Sequence, residues 1–235
     1  ESGVAMWFNG TVLGLSDTPA VVAYGPGQRS GNNNHFGKSV YTGADFNGDG
    51  TKDVLISSPQ DDSGSLSNNG SLWIHAGSSI GVSASSMSTV YGDENNSKLG
   101  EYTYRMGIGD INGDGTDDLV LGVPTDDTTG SDAGKVVLRL GTAAFLPSYD
   151  TATLFGEVAG DKFGQSVAVA DVNGDGYADV IIGAPYNDDG GSDAGKVYVF
   201  EGSEDGLSTT ASHGQYGESS SHRLGQKVYG LGDIN

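Results

Sequence analysis

The chain is 235 residues long, carries 31 acidic side chains against 11 basic ones for a formal net charge of −20, and has 40 glycines and no cysteine. That acidity repels nucleic acid, and the missing cysteines remove disulfides, thiolate metal sites and cysteine nucleophiles. No apolar run approaches the length of a membrane-spanning helix, so no membrane insertion is expected.

In chain order, residues 1–35 offer two strand-like runs, VAMWFNG and AVVAYG. From residue 36 the sequence becomes periodic. Each period opens on a Phe-Gly or Leu-Gly pair: Phe36-Gly37, Leu99-Gly100, Phe163-Gly164 and Leu224-Gly225. An alternating run follows, QSVAVADV in the third period, and then an acidic loop. Next is a continuous apolar run closed by Pro59, Pro124 or Pro185. A glycine-rich acidic loop leads to another alternating run: SLWIHAGS, KVVLRLGT or KVYVFEGS. The period ends on an aromatic–glycine segment: STVYGDE, TATLFGE or HGQYGE.

The loop-opening aspartates Asp45, Asp110, Asp171 and Asp233 lie 65, 61 and 62 residues apart. Each period therefore reads as four short strands, with no helix of ten or more residues. The apolar run suits a strand buried on both faces, and polar HGQYGE suits an outer edge. Four strands per period without helices predict an all-β fold, a β-propeller. The expected whole blades are 36–98, 99–162 and 163–223, with 1–35 the back half of a blade and 224–235 the start of another. On this phase the sequence reads as part of a larger propeller. The alternative is a small closed propeller in which both ends share one blade. Unfinished blades demand pairing, by closure or by self-assembly.

The first acidic loops read DFNGDGTKD, DINGDGTDD and DVNGDGYAD. Carboxylates stand at positions 1, 5 and 9, an amide at 3 and glycine at 6. Three carboxylates crowded into one turn repel, and a hard divalent cation reverses that repulsion. Calcium accepts six to eight oxygen ligands of this kind, whereas magnesium demands octahedral geometry and keeps its waters. The expected calcium ligands are Asp45, Asn47, Asp49, the Thr51 carbonyl and Asp53. The second set is Asp110, Asn112, Asp114, the Thr116 carbonyl and Asp118. The third is Asp171, Asn173, Asp175, the Tyr177 carbonyl and Asp179. A fourth, partial set holds Asp233 and Asn235. Glycine at position 6 permits the sharp turn. An EF-hand needs glutamate at position 12 and flanking helices; here position 12 is Ile56, Leu121 or Ile182 and the flanks are strands.

The Phe/Leu-Gly pair, the D-x-N-x-D-G-x-x-D loop and Gly183-Ala184-Pro185 together resemble the FG-GAP repeat of integrin α-subunit propellers and microbial surface proteins. The resemblance covers essentially the whole sequence. It implies a non-enzymatic, calcium-stabilised propeller, extracellular or at the cell surface, for adhesion or surface assembly through protein–protein contacts. A carbohydrate-binding propeller and an accessory module of a secreted hydrolase are the alternatives.

Catalytic readings fare poorly. GSSIG at Gly77–Gly81 fits the nucleophile-elbow pattern but lacks its strand-to-helix context. DDSGS at Asp61–Ser65 is matched by DDTTG and DDGGS, and reads as a solvated loop in preference to a second metal site. His35, His75, His213 and His222 have no foreseeable carboxylate partner. Trp7 and Trp73 fall on strand three, where packing explains them. Asn9, Asn69 and Asn95 are candidate glycan acceptors. The strand two–three and four–one loops differ most between periods. The face bearing Asp61, Asp126, Asp188 and Arg29 is therefore expected to meet a protein or glycan partner.

Overall fold

The computed structural model describes residues 3–8, 10–11, 14–25, 34–63, 65–79 and 81–232. Among them every regular element is a strand, apart from one 3-10 turn at Thr103–Arg105. The molecule divides into two compact units, residues 1–103 and 104–235.

In the first unit, β1 (Val4–Trp7) pairs antiparallel with β2 (Val21–Tyr24), Ala5 opposite Ala23. A four-stranded antiparallel meander follows: β3 (Val40–Ala44), β4 (Asp53–Ser58), β5 (Ser71–His75) and β6 (Ser88–Tyr91). Ile56 of β4 lies opposite Val40 on one side and Trp73 on the other. The register shifts once, between Thr42 and Ala44, around Gly43 at φ 104°. Ala5, Ala23, Phe36, Val54 and Ile56 form a core on which Trp7 and Trp73 pack. Both tryptophans are thus packing residues, Trp73 edge-on to Phe36 at 6.1 Å between centroids.

The second unit holds two more such meanders. One runs β7 (Met106–Gly109), β8 (Asp118–Val123), β9 (Lys135–Arg139), β10 (Ala152–Phe155). The other runs β11 (Ser166–Ala170), β12 (Asp179–Ala184), β13 (Lys196–Phe200), β14 (His213–Tyr216). The sheets meet where Gly107 and Gly109 face Val169; a Cβ on either glycine would come within 2.5 or 2.8 Å of its isopropyl group. Val120, Val136, Leu138, Val167, Val180, Ile182 and Phe200 are buried in their shared core. Each such residue contributes about 1.5–3 kcal/mol by leaving water.

Local sequence explains the strand roles. Every residue of β4 and β8 is buried: the apolar runs Val54–Ile56 and Leu119–Val123 face packing on both sides, and Asp53, Ser57, Ser58 and Asp118 are buried with them. All four residues of β14 are exposed, as suits an outer edge. Proline follows β4, β8 and β12 directly, and without an N–H it cannot extend the ladder. Gly134 (φ 86°) and Gly195 (φ 81°) sit where the next Phe/Leu-Gly pair crosses; a Cβ there would lie 2.2 Å from the Phe163 carbonyl oxygen and 2.3 Å from that of Leu224. Only glycine combines that φ with that approach.

Candidate functional site

The three acidic loops join the first and second strands of each four-stranded sheet, and are built alike. In the first, Asp45 accepts the N–H groups of Asp49 (3.1 Å) and Gly50 (2.8 Å). Asp49 accepts the Thr51 N–H at 2.8 Å, the Thr51 hydroxyl, and the Asn47 side-chain amide at 3.0 Å. Asp110 and Asp114 repeat this in the second loop. In the third, Asp171 holds the Gly174 and Gly176 N–H groups at 2.7 and 2.9 Å, and Asp175 holds that of Tyr177 at 2.9 Å. Glycine at position 6 has φ 83°, 87° and 92° at Gly50, Gly115 and Gly176, which is what lets each turn close.

Position 9 reaches further. The buried carboxylate of Asp53 takes the N–H of Phe46 inside its own loop and that of Gly77 beyond β5, both at 2.9 Å. Asp118 does the same with Ile111 and Gly141 at 2.8 Å, and Asp179 with Val172 at 2.9 Å and Gly202 at 3.1 Å. One carboxylate thus ties the start of the loop to the end of the third strand. Burial pushes the Asp118 carboxyl up to about 7, despite those two N–H groups, and the charges of Asp114 and Asp110 add to the rise. Asp53 and Asp179 are raised for the same first reason, burial, with Asp45 and Asp49 or Asp175 and Asp171 contributing. In contrast the Thr51 hydroxyl, then Asn47 and the Thr51 N–H, hold Asp49 below the usual carboxylate value.

Among the described residues, no three His, Cys, Asp or Glu side chains are grouped so as to hold a metal ion as they stand. The carboxylates accept backbone N–H groups instead. Their chemistry still fits a hard cation. Each loop offers oxygen ligands and carries more acidic than basic side chains, and a carboxylate holding two N–H groups retains acceptor capacity among its roughly four lone-pair sites. Asp233 and Asn235 lie outside the described residues.

The second group of acidic loops has a structural job. Asp62, Asp127 and Asp188 each accept, at 2.7 Å, the N–H of Asn68, Asp132 and Asp193 respectively. These three residues adopt φ 49°, 52° and 51°, and their carbonyls receive the N–H groups of Lys98, Lys162 and Arg223. Strand two–three loops are thereby clasped to strand four–one loops. Asp61 is buried and takes the Ser71 hydroxyl at 2.7 Å, while buried Asp126 pairs with Lys135 at 2.8 Å. At the matching place in the next sheet Asn187 donates to Asp161 at 2.7 Å, and Lys196 turns to Asp189 and Glu157. Sequence reasoning missed Lys135, Asp161 and Lys196. The signal was the paired change from one period to the next: Asp61 with Ser71, Asp126 with Lys135, Asn187 with Lys196. Arg29 lies outside the described residues.

The remaining candidates resolve locally. Gly77–Ser78 pairs with Gly81–Val82 in a small hairpin, and the Ser78 hydroxyl donates to the Gly81 carbonyl at 2.7 Å. That is a turn, not a nucleophile elbow. His75 is buried; its Nδ1–H donates to the Ser83 carbonyl at 3.0 Å, and burial lowers its proton affinity. Asn69 is buried, its amide receiving the Ser63 N–H and donating to the Gly92 carbonyl, which disfavours a glycan there; Asn95 is exposed. Asn9 lies outside the described residues.

Comparison with known proteins adds a family. Residues 36–75, 102–138 and 163–200 match the FG-GAP repeat. Integrin alpha pat-2 of Caenorhabditis elegans is 33% identical over 196 residues, covering 77% of this chain and 15% of that protein. Integrin alpha-PS2 of Drosophila melanogaster is 34% identical over 181 residues, 72% of this chain and 12% of that protein. A phosphatidylinositol-glycan-specific phospholipase D of Dictyostelium discoideum is 30% identical over 199 residues, 74% and 20% of the respective proteins. The chain thus spans no more than a fifth of these relatives' length.

Proposed function

Because the chain belongs to the FG-GAP repeat family, an integrin-alpha-like β-propeller class, we propose that it is a non-enzymatic, calcium-stabilised recognition module working outside the cell or at its surface. The observation that carries the calcium reading is the threefold loop whose position-9 aspartate is buried while two further aspartates add to its charge. The residues that would hold the ion are Asp45, Asn47, Asp49, Thr51 and Asp53, with the corresponding sets 110–118 and 171–179, the threonine or tyrosine acting through its carbonyl. Asp233 and Asn235 would begin a fourth. Calcium would supply a positive charge that removes the repulsion within each loop. What this protein does by itself is hold the hairpin shape through N–H groups donated to the same carboxylates.

The partner is a protein, met on the side where the clasped strand two–three and four–one loops lie together and vary most between repeats. Integrin alpha relatives support that reading. Magnesium, with its octahedral demand, should replace calcium poorly. Calorimetric melting in calcium and in chelator tests the proposal: about 2.7 kcal/mol per site is expected at a hundredfold excess over Kd, and coincident curves would remove calcium from the account. Asp179→Ala should abolish one site and leave the others, read by titration; loss of all binding at once would show that the loops are not independent. A second reading is an accessory module of a larger hydrolase, favoured by the phospholipase D relative.

A further inference from the structure

The sequence has five Asn-Gly pairs, and three of them stand at positions 3 and 4 of the acidic loops: Asn47-Gly48, Asn112-Gly113 and Asn173-Gly174. Asn-Gly is the dipeptide most open to self-modification, because glycine's nitrogen meets no steric obstruction from a Cβ. The deprotonated glycine nitrogen attacks the asparagine Cγ. A new bond joins that nitrogen to Cγ, the Cγ–Nδ2 bond breaks, ammonia leaves with the proton, and a cyclic imide remains. Water then opens the imide at either carbonyl, giving aspartate or isoaspartate. No oxidant, reductant or enzyme is needed.

The loops differ in the atom that matters. In the third, the Gly174 N–H is held by the Asp171 carboxylate at 2.7 Å. In the first and second, the same aspartate oxygen takes the N–H of the following residue instead, Asp49 and Asp114, each at 3.1 Å. Among the described residues no acceptor then faces the nitrogen of Gly48 or Gly113. A nitrogen whose proton is held by a carboxylate gives that proton up less readily. Exposure alone would rank the sites differently: Asn173 is exposed, whereas Asn47 and Asn112 are half-buried. A fourth pair, Asn69-Gly70, has a buried asparagine and a glycine N–H held by the Asp61 carbonyl at 3.1 Å.

We propose that Asn47 and Asn112 are sites of spontaneous deamidation, and that Asn173, in the same motif, is protected by the Asp171–Gly174 hydrogen bond. Conversion to aspartate adds a carboxyl to the three that stand at positions 1, 5 and 9 of the loop. Conversion to isoaspartate lengthens the backbone by one atom between the two ends that position 9 ties together. Either product alters one loop and spares its neighbour, so a population of this protein ages into distinguishable forms.

The test uses the 235-residue chain, incubated in chelator at mildly alkaline pH, with timed peptide mapping by mass spectrometry and isoaspartyl labelling. Asn47 and Asn112 should convert about tenfold or more faster than Asn173, the factor that a hydrogen bond to a charged acceptor supplies. Asp171→Ala should bring Asn173 up to the rate of Asn47. Asn69 serves as the internal reporter of an intact fold and should stay unmodified in both proteins. Asn173 converting as fast as Asn47 in the unaltered protein would overturn the proposal. So would Asn47 and Asn112 converting no faster than Asn69. Because metal is absent throughout, failure of the calcium reading leaves this result unchanged.

Discussion

Replacing Asp118 by alanine should reveal how much of each hairpin rests on one carboxylate, with no cation involved. Asp118 is fully buried and accepts two backbone N–H groups, from Ile111 and Gly141, each at 2.8 Å. Alanine leaves both donors buried without a partner, at roughly 1–3 kcal/mol each, so the substitution should cost about 2–6 kcal/mol. That is a large share of the roughly 5–15 kcal/mol that holds an ordinary domain together. Asp118→Asn keeps one acceptor and turns an NH2 toward the other donor, so about half that loss is expected. Asp114→Ala removes a carboxylate from the exposed rim of the same loop and should cost less than about 0.5 kcal/mol. Urea unfolding in chelator is the assay, buffered above the value of about 7 to which burial pushes Asp118, so that the carboxylate is ionised. A loss below about 1 kcal/mol for Asp118→Ala would refute the reasoning, since the two N–H groups must then have other acceptors. Adding calcium separates the roles: Asp114→Ala should lose only the second loop's share of the calcium-dependent rise in melting temperature, leaving the share of the other two loops and the metal-free stability.

Lys135→Ala leaves Asp126 buried without its ammonium partner and should destabilise by about 3–5 kcal/mol in urea unfolding, whereas Lys135→Met combined with Asp126→Leu should recover most of that loss. Asp161 has its carboxyl raised from 3.8, first by burial and then by Asp189, Asp188 and Glu157, with the Asn187 amide opposing. The stability of the neutral form is therefore present below about pH 3.8 and lost as pH rises through the raised value, a slope that Asp161→Asn should flatten in a melting series. His75 behaves oppositely: burial lowers its value from 6.5, so stability should fall as pH drops below 6.5, and His75→Gln should remove that loss.

Much of the fold was legible because the repeat carries its own punctuation. The proline after each second strand, the aromatic–glycine pair at each outer edge and the alternating runs mark the four strands of each sheet in the sequence itself. The acidic loops were legible as loops for the same reason, since Asp, Asn and Gly at fixed offsets specify a local turn. What escaped was non-local. Gly77, Gly141 and Gly202 donate to the position-9 aspartates from beyond the third strand, 24, 23 and 23 residues away, and nothing in their own neighbourhood marks them as donors. The clasp between the strand two–three and four–one loops was equally hidden. It depends on residues such as Lys162 and Arg223 adopting φ 55° and 51°, a backbone state that their side-chain chemistry does not advertise.

That clasp bears on how such a protein can grow over evolutionary time. Lys98 to Asn68, Lys162 to Asp132 and Arg223 to Asp193 are each joined through main-chain atoms, the last pair with an added side-chain ion pair at 3.7 Å. The supporting carboxylates Asp62, Asp127 and Asp188 come from the same loops they brace. A duplicated stretch of gene would therefore bring its own fastening with it, whatever side chains its loops display. New copies can then diverge at their tips without first negotiating a fit with their neighbours.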